Sequence, residues 1–501
     1  MSKKASVFVE KNQVIGQISE NLFGSFIEHL GRAVYTGIYE PGHETADSDG
    51  FRQDVVDLVK ELQVPIVRYP GGNFVSGYRW QDGIGPRQNR PRRLELAWRS
   101  IENNQVGIED FARWAKKAGC DVMPAVNLGT GNPQDAADLV EYCNFPGGTT
   151  LSDMRKKNGS KTPYNYKYWC IGNEMDGDWQ IGHLTAQEYG RKAHETIKMM
   201  KWVDPSIKVT VVGSSGAAMP SFPEWDRITL EHCYHEADFL SLHQYYGFCA
   251  ERGDKVTDYL HNYLNMDGFI SSVVATADYV KAYTRSPKTM MLSFDEWNVW
   301  HAHLPNPPGS DWAVAAHLLE NEYDVKDALL FSGMMMTLIN HADRVKVGCM
   351  AQLVNVIAPI LTTAGGDVLR QTIFYPYKAG CRYAKGNALK TKVCSEKIET
   401  VHGDANLLYS AAAHNEETGE LTLFLLNTGA EAMPTELSLK EFGKLTLIEH
   451  QVLTGDLDLK NTFADPNRIT MKAKPAGMPC EDGMTVELEG YSFHVLRFTE
   501  K

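Results

Sequence analysis

Nowhere in this chain do apolar residues run on for anything near the roughly 20 that a membrane-crossing helix needs. Positive charge is also in short supply: 50 Lys and Arg face 63 Asp and Glu, a formal net charge of -13. Nucleic acid and anionic membrane surfaces are bound through a basic face, so neither is expected as a partner. The basic stretch Pro86-Arg87-Gln88-Asn89-Arg90-Pro91-Arg92-Arg93 reads as a loop making local salt bridges or subunit contacts. Nine cysteines, an odd number without Cys-x-x-Cys spacing, argue against a disulfide framework and for reduced, mostly buried thiols. The start of the chain reaches Glu10 before an adequate apolar stretch forms, so no cleaved export signal is expected and the expected compartment is cytoplasmic. Gly71-Gly72 has neither the Gly-x-Gly-x-x-Gly nor the Lys-Ser/Thr context of a nucleotide loop. The pairs His232-x-x-His235 and His301-x-His303 lack a convergent Cys or carboxylate set at ligand spacing, so no metal and no cofactor is expected. Internal repeats and low-complexity segments are missing too.

What is present suits a soluble enzyme of more than one domain. The 501 residues are 43% hydrophobic and 23% charged, enough for a large barrel and a smaller module. From about residue 20 to 385, short β-branched runs alternate with longer amphipathic stretches, the rhythm of βα units around a parallel sheet. The strands read as Leu22–Ile27, Val64–Tyr69, Asp121–Asn127, Tyr166–Ile171, Lys208–Gly213, Asp238–His243, Thr289–Phe294 and Val345–Met350, about the eight that close a barrel. Helices are predicted over Gly50–Leu62, Gly107–Ala118, Asn132–Cys143, Thr185–Val203, Met266–Thr284 and Tyr323–His341, with capping-box spacing at Thr185 and Glu188. After about residue 385, alternating strands between Gly, Pro, Asn and Asp turns predict a small antiparallel β-sandwich, at Leu407–Ala413, Leu421–Asn427, Leu445–Val452, Arg468–Ala473 and Met484–Phe498. Ala5–Val9 and Val14–Ile18 are expected to add an edge to it. The expected division is therefore 1–18 with the sandwich, 19–385 as the α/β barrel, and 386–501 as the C-terminal β-sandwich.

Two segments carry the chemistry. Cys170-Ile171-Gly172-Asn173-Glu174-Met175 and Ser293-Phe294-Asp295-Glu296-Trp297-Asn298 each place a glutamate at the end of a predicted strand. At about 40 residues per βα unit, their spacing makes them the ends of strands 4 and 7, on the face where such barrels keep their active sites. Two carboxyls so delivered are what glycosidic cleavage requires. One must be protonated to release the leaving oxygen, and the other must be ionised to attack or stabilise the sugar cation. Asp295 competes with Glu296 on sequence alone. Strand alternation predicts that only one of the two faces the barrel mouth.

Five motifs, in order, carry a resemblance over essentially the whole chain: Gly24-Ser25-Phe26-Ile27-Glu28-His29-Leu30-Gly31-Arg32, Arg68-Tyr69-Pro70-Gly71-Gly72-Asn73-Phe74, Gly172-Asn173-Glu174-Met175-Asp176-Gly177, Ser241-Leu242-His243-Gln244-Tyr245-Tyr246 and Phe294-Asp295-Glu296-Trp297-Asn298. The sequence resembles the glycoside hydrolase family 51 α-L-arabinofuranosidases. That resemblance implies a (β/α)8 barrel with a C-terminal jelly-roll-like β-sandwich, and exo-acting hydrolysis of terminal arabinofuranose from arabinose-containing oligosaccharides with retention. It also implies a homo-oligomer, often a hexamer.

The resemblance makes Glu174 the acid/base and Glu296 the nucleophile. It places Glu28, Asn73 and Asn173 on the sugar hydroxyls, with Asn173 on the 2-hydroxyl, and adds Gln352 as a sugar contact. Arg68 is expected to hold Glu296 ionised through a charge-assisted hydrogen bond; a purely structural ion pair is its other reading. His243 and Tyr245 flank the carboxylates, His243 orienting the acid and Tyr245 donating to the nucleophile's free oxygen. Trp98, Trp297 and Trp300 are expected at the pocket rim or on the leaving sugar, with core packing the rival for Trp98. The rival activity is another retaining barrel glycosidase, a β-xylosidase or endo-glucanase. A non-catalytic carbohydrate-binding protein would have no need of both carboxylates.

Overall fold

The computed structural model describes residues 4–500; residues 1–3 and 501 lie outside it. Eight parallel strands form where the sequence predicts them: β1 Gly24–Phe26, β2 Ile66–Tyr69, β3 Asp121–Pro124, β4 Tyr168–Ile171, β5 Lys208–Val211, β6 Phe239–Tyr246, β7 Met291–Val299 and β8 Val345–Ala351. They pair in the order β3-β2-β1-β8-β7-β6-β5-β4. The ring closes between β3 and β4 through a parallel bridge from Ala125 to Cys170 and a 3.0 Å hydrogen bond from Val126 N to Cys170 O. Strands covered on both faces must be apolar throughout, and Ile66–Tyr69 is buried at all four positions.

The six predicted helices form with ends shifted by a few residues, as helices Gln53–Leu62, Ile108–Ala118, Pro133–Asn144, Ala186–Val203, Tyr263–Tyr283 and Val325–Asn340. At Thr185 the capping box closes as expected: Glu188 N donates to the Thr185 hydroxyl at 3.4 Å, and Thr185 N donates to the Glu188 carboxylate at 2.9 Å. Helices Thr150–Lys157, Glu224–Cys233 and Phe374–Tyr383 were not predicted. The sequence predicts Tyr323–His341 as one more amphipathic helix of the outer ring, but every residue from Val325 to Ile339 is buried. It is walled in by the barrel on one side and by the β domain on the other.

The β domain is a ten-stranded sheet whose two ends share one core, so that it curls into a two-layer sandwich. Leu421, Leu423 and Leu425 face that core, while Phe424 and Leu426 on the opposite face of the same strand pack toward the barrel. Three expectations need correction. Of the predicted strand Arg468–Ala473 only Lys472–Ala473 joins the sheet. Ala5–Gln17 is one long strand inside the sheet, antiparallel to Asn387–Cys394 and parallel to Met433–Ser438, rather than an edge. Met484–Phe498 breaks into Gly483–Leu488 and Ser492–Glu500 at a turn through Gly490 and Tyr491. All nine cysteines are free thiols, seven of them buried. Among the described residues no helix is long and apolar enough to cross a membrane.

Candidate active site

The carboxyl ends of β1, β2, β4, β6, β7 and β8 bring most of the expected residues to one mouth. At the end of β2, Arg68 is buried and cradled by the Phe26 ring, whose centroid lies 4.9 Å from the guanidinium carbon. Its guanidinium donates to Glu296 Oε1 at 2.7 Å and to Asn173 Oδ1 at 2.7 Å, and its Nε lies 3.7 Å from Asp295 Oδ2. Tyr245 donates its hydroxyl proton to Glu296 Oε2 at 2.7 Å, so both oxygens of that carboxylate accept charged or polar donors. His243 bridges Glu174 Oε1 at 2.9 Å through Nδ1 and Asp295 Oδ1 at 3.1 Å through Nε2. Burial opposes a charge on His243, yet the Glu296 carboxylate and the bonds to Asp295 and Glu174 outweigh it and push its pKa up to about 10. The imidazole is therefore cationic at neutral pH, with both nitrogens donating.

One oxygen of Glu174, one ring nitrogen of His243 and one oxygen of Glu296 lie within 4.8 Å of one another. The set is built for moving protons. Glu174 itself follows Gly172 (φ +96°) and has φ +43°, a left-handed conformation that costs a non-glycine residue of order 1–3 kcal/mol and clusters at functional sites.

On the opposite wall Glu28 is fully buried. Its Oε1 accepts from Phe74 N at 2.8 Å and from Trp98 Nε1 at 2.7 Å, and Gln352 touches its carboxylate at 3.4 Å while accepting from Glu28 N at 3.0 Å. Burial raises its pKa well above the ordinary carboxylate value. Gly72 explains its glycine here: with φ +57°, a Cβ on it would stand 2.0 Å from Glu28 Oε2. Asn73 and Asn173 meet side chain to side chain at 3.3 Å.

Strand alternation misleads in β7. Phe294 points out to Phe269 of helix Tyr263–Tyr283, and Trp297 points out to Phe331 of helix Val325–Asn340, with ring centroids 6.2 and 4.8 Å apart. The two residues between them both face inward, because the register with β6 and with β8 slips at this point, as in a β-bulge. Asp295 therefore lies beside Glu296 among the site's charges, touching His243 and Arg68, instead of on the outer face. The same slip corrects the expectation for Trp297: it is fully buried core, packed against Phe331. Trp98 does reach the site. Trp300 is partly buried, packed edge-on against the Tyr245 ring at 5.5 Å.

Residues that the sequence did not single out complete the site. Trp179, half-exposed in the loop after β4, donates from Nε1 to Glu174 Oε2 at 2.8 Å. Gln180 accepts from Asn173 at 3.4 Å and donates to Ser76. Asp176 accepts from Ser215 N at 3.0 Å, two residues behind Glu174. An aromatic inside the polar run Asp176-Gly177-Asp178-Trp179-Gln180 was the available signal for Trp179.

A closed barrel with two glutamates at the ends of β4 and β7, one oxygen of each within 4.8 Å of the other, and a guanidinium and a phenol on one of them defines a glycoside hydrolase. Residues 58–255 match the α-L-arabinofuranosidase 1 domain and residues 295–492 the α-L-arabinofuranosidase C-terminal domain. The chain is 49% identical over 502 residues, the full length of both proteins, to a Bacillus subtilis protein named intracellular exo-α-(1→5)-L-arabinofuranosidase 1. It is 45% identical over 480 residues, 94% of this chain and 92% of the other, to an exo-α-(1→6)-L-arabinofuranosidase of Bifidobacterium longum. Among solved structures, a family 51 α-L-arabinofuranosidase from Bifidobacterium longum superposes with a TM-score of 0.95 at 40% identity, covering 99% of this chain and 100% of that one. The arabinose complex of the Thermotoga maritima enzyme gives 0.87 at 32% identity, with 99% of each covered. The chain belongs to the α-L-arabinofuranosidases of glycoside hydrolase family 51.

Proposed function

We propose that this protein is an exo-acting, retaining α-L-arabinofuranosidase that removes terminal arabinofuranose from oligosaccharides. The proximity of Glu174 and Glu296 carries the mechanism. Carboxyl groups about 5 Å apart suit direct attack, whereas an interposed water needs roughly 6.5–9.5 Å.

In the first step Glu296 attacks the anomeric carbon while Glu174 gives its proton to the departing glycosidic oxygen. Arg68 and His243 supply two positive charges, and Asp295 and Glu296 two negative ones, so a proton on Glu174 leaves the cluster neutral. Glu174 Oε2 lies on the solvent side, beside Trp179, where a leaving group would sit. Once Glu296 is esterified, one negative charge is gone, and Glu174 without its proton restores the balance and can take one from water. Arg68 and Tyr245 stabilise the carboxylate as it leaves again in the second step.

Glu28, Asn73, Asn173 and Gln352 are proposed to hold the sugar hydroxyls, with Trp98 fixing Glu28. The catalytic unit is residues 19–385, with 1–18 and 386–501 as the β domain. Relatives that bear the word intracellular, together with nine free thiols, support a cytoplasmic protein. The family resemblance also carries a homo-oligomer, often a hexamer.

Replacing Glu296 with Ala tests the core of this reading. Turnover on aryl arabinofuranosides should be lost and then rescued by azide with inversion, because the anion occupies the vacated nucleophile position. An α-configured azide product, or this behaviour in Asp295→Ala with Glu296→Ala still active, would assign the nucleophile elsewhere.

A further inference from the structure

His303 is far from Cys249 and Glu251 in sequence but meets them at the rim of the barrel mouth. The loop after β6 supplies Cys249 and Glu251, and the loop after β7 supplies His303. Cys249 Sγ lies 3.3 Å from Glu251 Oε2, and with a ring nitrogen of His303 the three atoms fall within 4.8 Å of one another. In a tetrahedral zinc site with Zn–S of about 2.3 Å and Zn–O of about 2.0 Å, a sulfur and an oxygen are about 3.5 Å apart. The thiol–carboxylate edge therefore already has the right length.

The two loops are held against each other before any ion arrives. Trp300 N donates to Tyr246 O at 2.7 Å, Phe248 N donates to His301 Nδ1 at 3.2 Å, and a Cβ on Gly247 would stand 2.4 Å from Trp300 O. Cys249 is further fixed by its own N–H, which donates to Asp254 Oδ2 at 2.8 Å. The thiol is buried, His303 is partly covered and Glu251 is exposed, so a fourth position on the outer side faces water.

We propose that Cys249, Glu251 and His303 form a zinc site with three protein ligands and a water, separate from the catalytic carboxylates, that ties the loop after β6 to the loop after β7. On binding, the Cys249 thiol loses its proton to solvent. Thiolate and carboxylate then neutralise the dication, and affinity rises with pH. Zinc suits this mixture of sulfur, nitrogen and oxygen better than magnesium or calcium, which take oxygen ligands.

Cobalt(II), a spectroscopic stand-in for zinc, should be titrated into the full-length protein. One equivalent is expected to give a thiolate-to-metal charge-transfer band that zinc then displaces. Cys249→Ser should abolish the band. Glu251→Gln and His303→Ala should weaken cobalt binding by more than the roughly 10–100-fold that loss of an outer-shell partner costs. All three variants should keep the parent's circular dichroism and its activity in metal-free buffer. The proposal is overturned if no band forms, if it persists in Cys249→Ser and so belongs to another thiol such as the exposed Cys394, or if the Glu251 and His303 variants bind cobalt as tightly as the parent.

Discussion

At the scale of single residues, the two glutamates are set apart by their partners. Glu296 accepts from Arg68 and Tyr245, which stabilise a negative charge, while Glu174 accepts from His243 and from the half-exposed Trp179. An acid matters in proportion to how badly the leaving group needs a proton. Glu174→Ala should therefore lose several orders of magnitude on natural oligosaccharides, whose alkoxides are very basic, yet retain much of the first step on nitrophenyl arabinofuranosides. The glycosyl-enzyme should then accumulate, with azide speeding its breakdown with retention; a uniform loss without a burst would remove Glu174 from the acid/base role. Trp297 makes a contrasting case. Packed on Phe331 with its side chain fully buried, it should act through stability: Trp297→Phe should cost about 1–3 kcal/mol in urea unfolding and leave KM unchanged. A raised KM at parental stability would return Trp297 to the pocket.

At the scale of elements, neighbouring strands Lys444–Thr454 and Ser492–Glu500 hold a buried histidine pair, His450 Nε2 to His494 Nδ1 at 3.0 Å. Burial pushes the His450 pKa down to about 4 and that of His494 well below its ordinary value. A histidine with a depressed folded pKa binds its proton first in the unfolded chain. Its contribution to stability is therefore complete above about pH 6.5 and fades as pH falls from there toward 4. Asp226 works the other way: burial pushes its pKa up to about 7, so its contribution is lost as pH rises from about 4 through 7. The histidine effect is thus read as a difference. The parent's urea midpoint should fall more steeply between pH 6.5 and 4 than that of His450→Gln, and parallel curves would show that the pair is not buried and neutral.

At the scale of the whole molecule, barrel and β domain share one wall. Helix Val325–Asn340 is buried from Val325 to Ile339, Thr337 Oγ1 lies 3.1 Å from the Tyr409 hydroxyl, and Tyr409 stacks on Tyr263 of the barrel at 4.2 Å. Neither part can unfold without exposing that helix. Calorimetry should show a single cooperative transition for the chain, and two resolved transitions would mean that the shared wall contributes little. Strand Ala5–Gln17 is bonded on both sides, so its deletion should unfold the β domain and lower the transition of the barrel with it.

The sequence by itself determined the repeating elements and the chemistry at their ends. Runs such as Ile66–Tyr69, buried at every position, and helices with a one-sided apolar stripe are set by local periodicity, which a linear reading captures. The motifs that carry Glu174, Glu296, Arg68, His243 and Tyr245 lie within a few residues of a strand end, so topology alone brings them to one mouth. Whatever depends on a partner distant in the chain was decided only by tertiary structure. The register slip that turns Asp295 inward and Trp297 outward arises from the pairing of β7 with β6 and β8 and leaves no mark in the sequence of β7. The N-terminal strand is internal because Met433–Ser438, over 400 residues away, closes on its free side. Cys249 and Glu251 are neighbours in one loop, but His303 joins them only when two barrel loops fold against each other. Alternation along a strand is a local property, whereas which face meets the core is settled by everything packed around it.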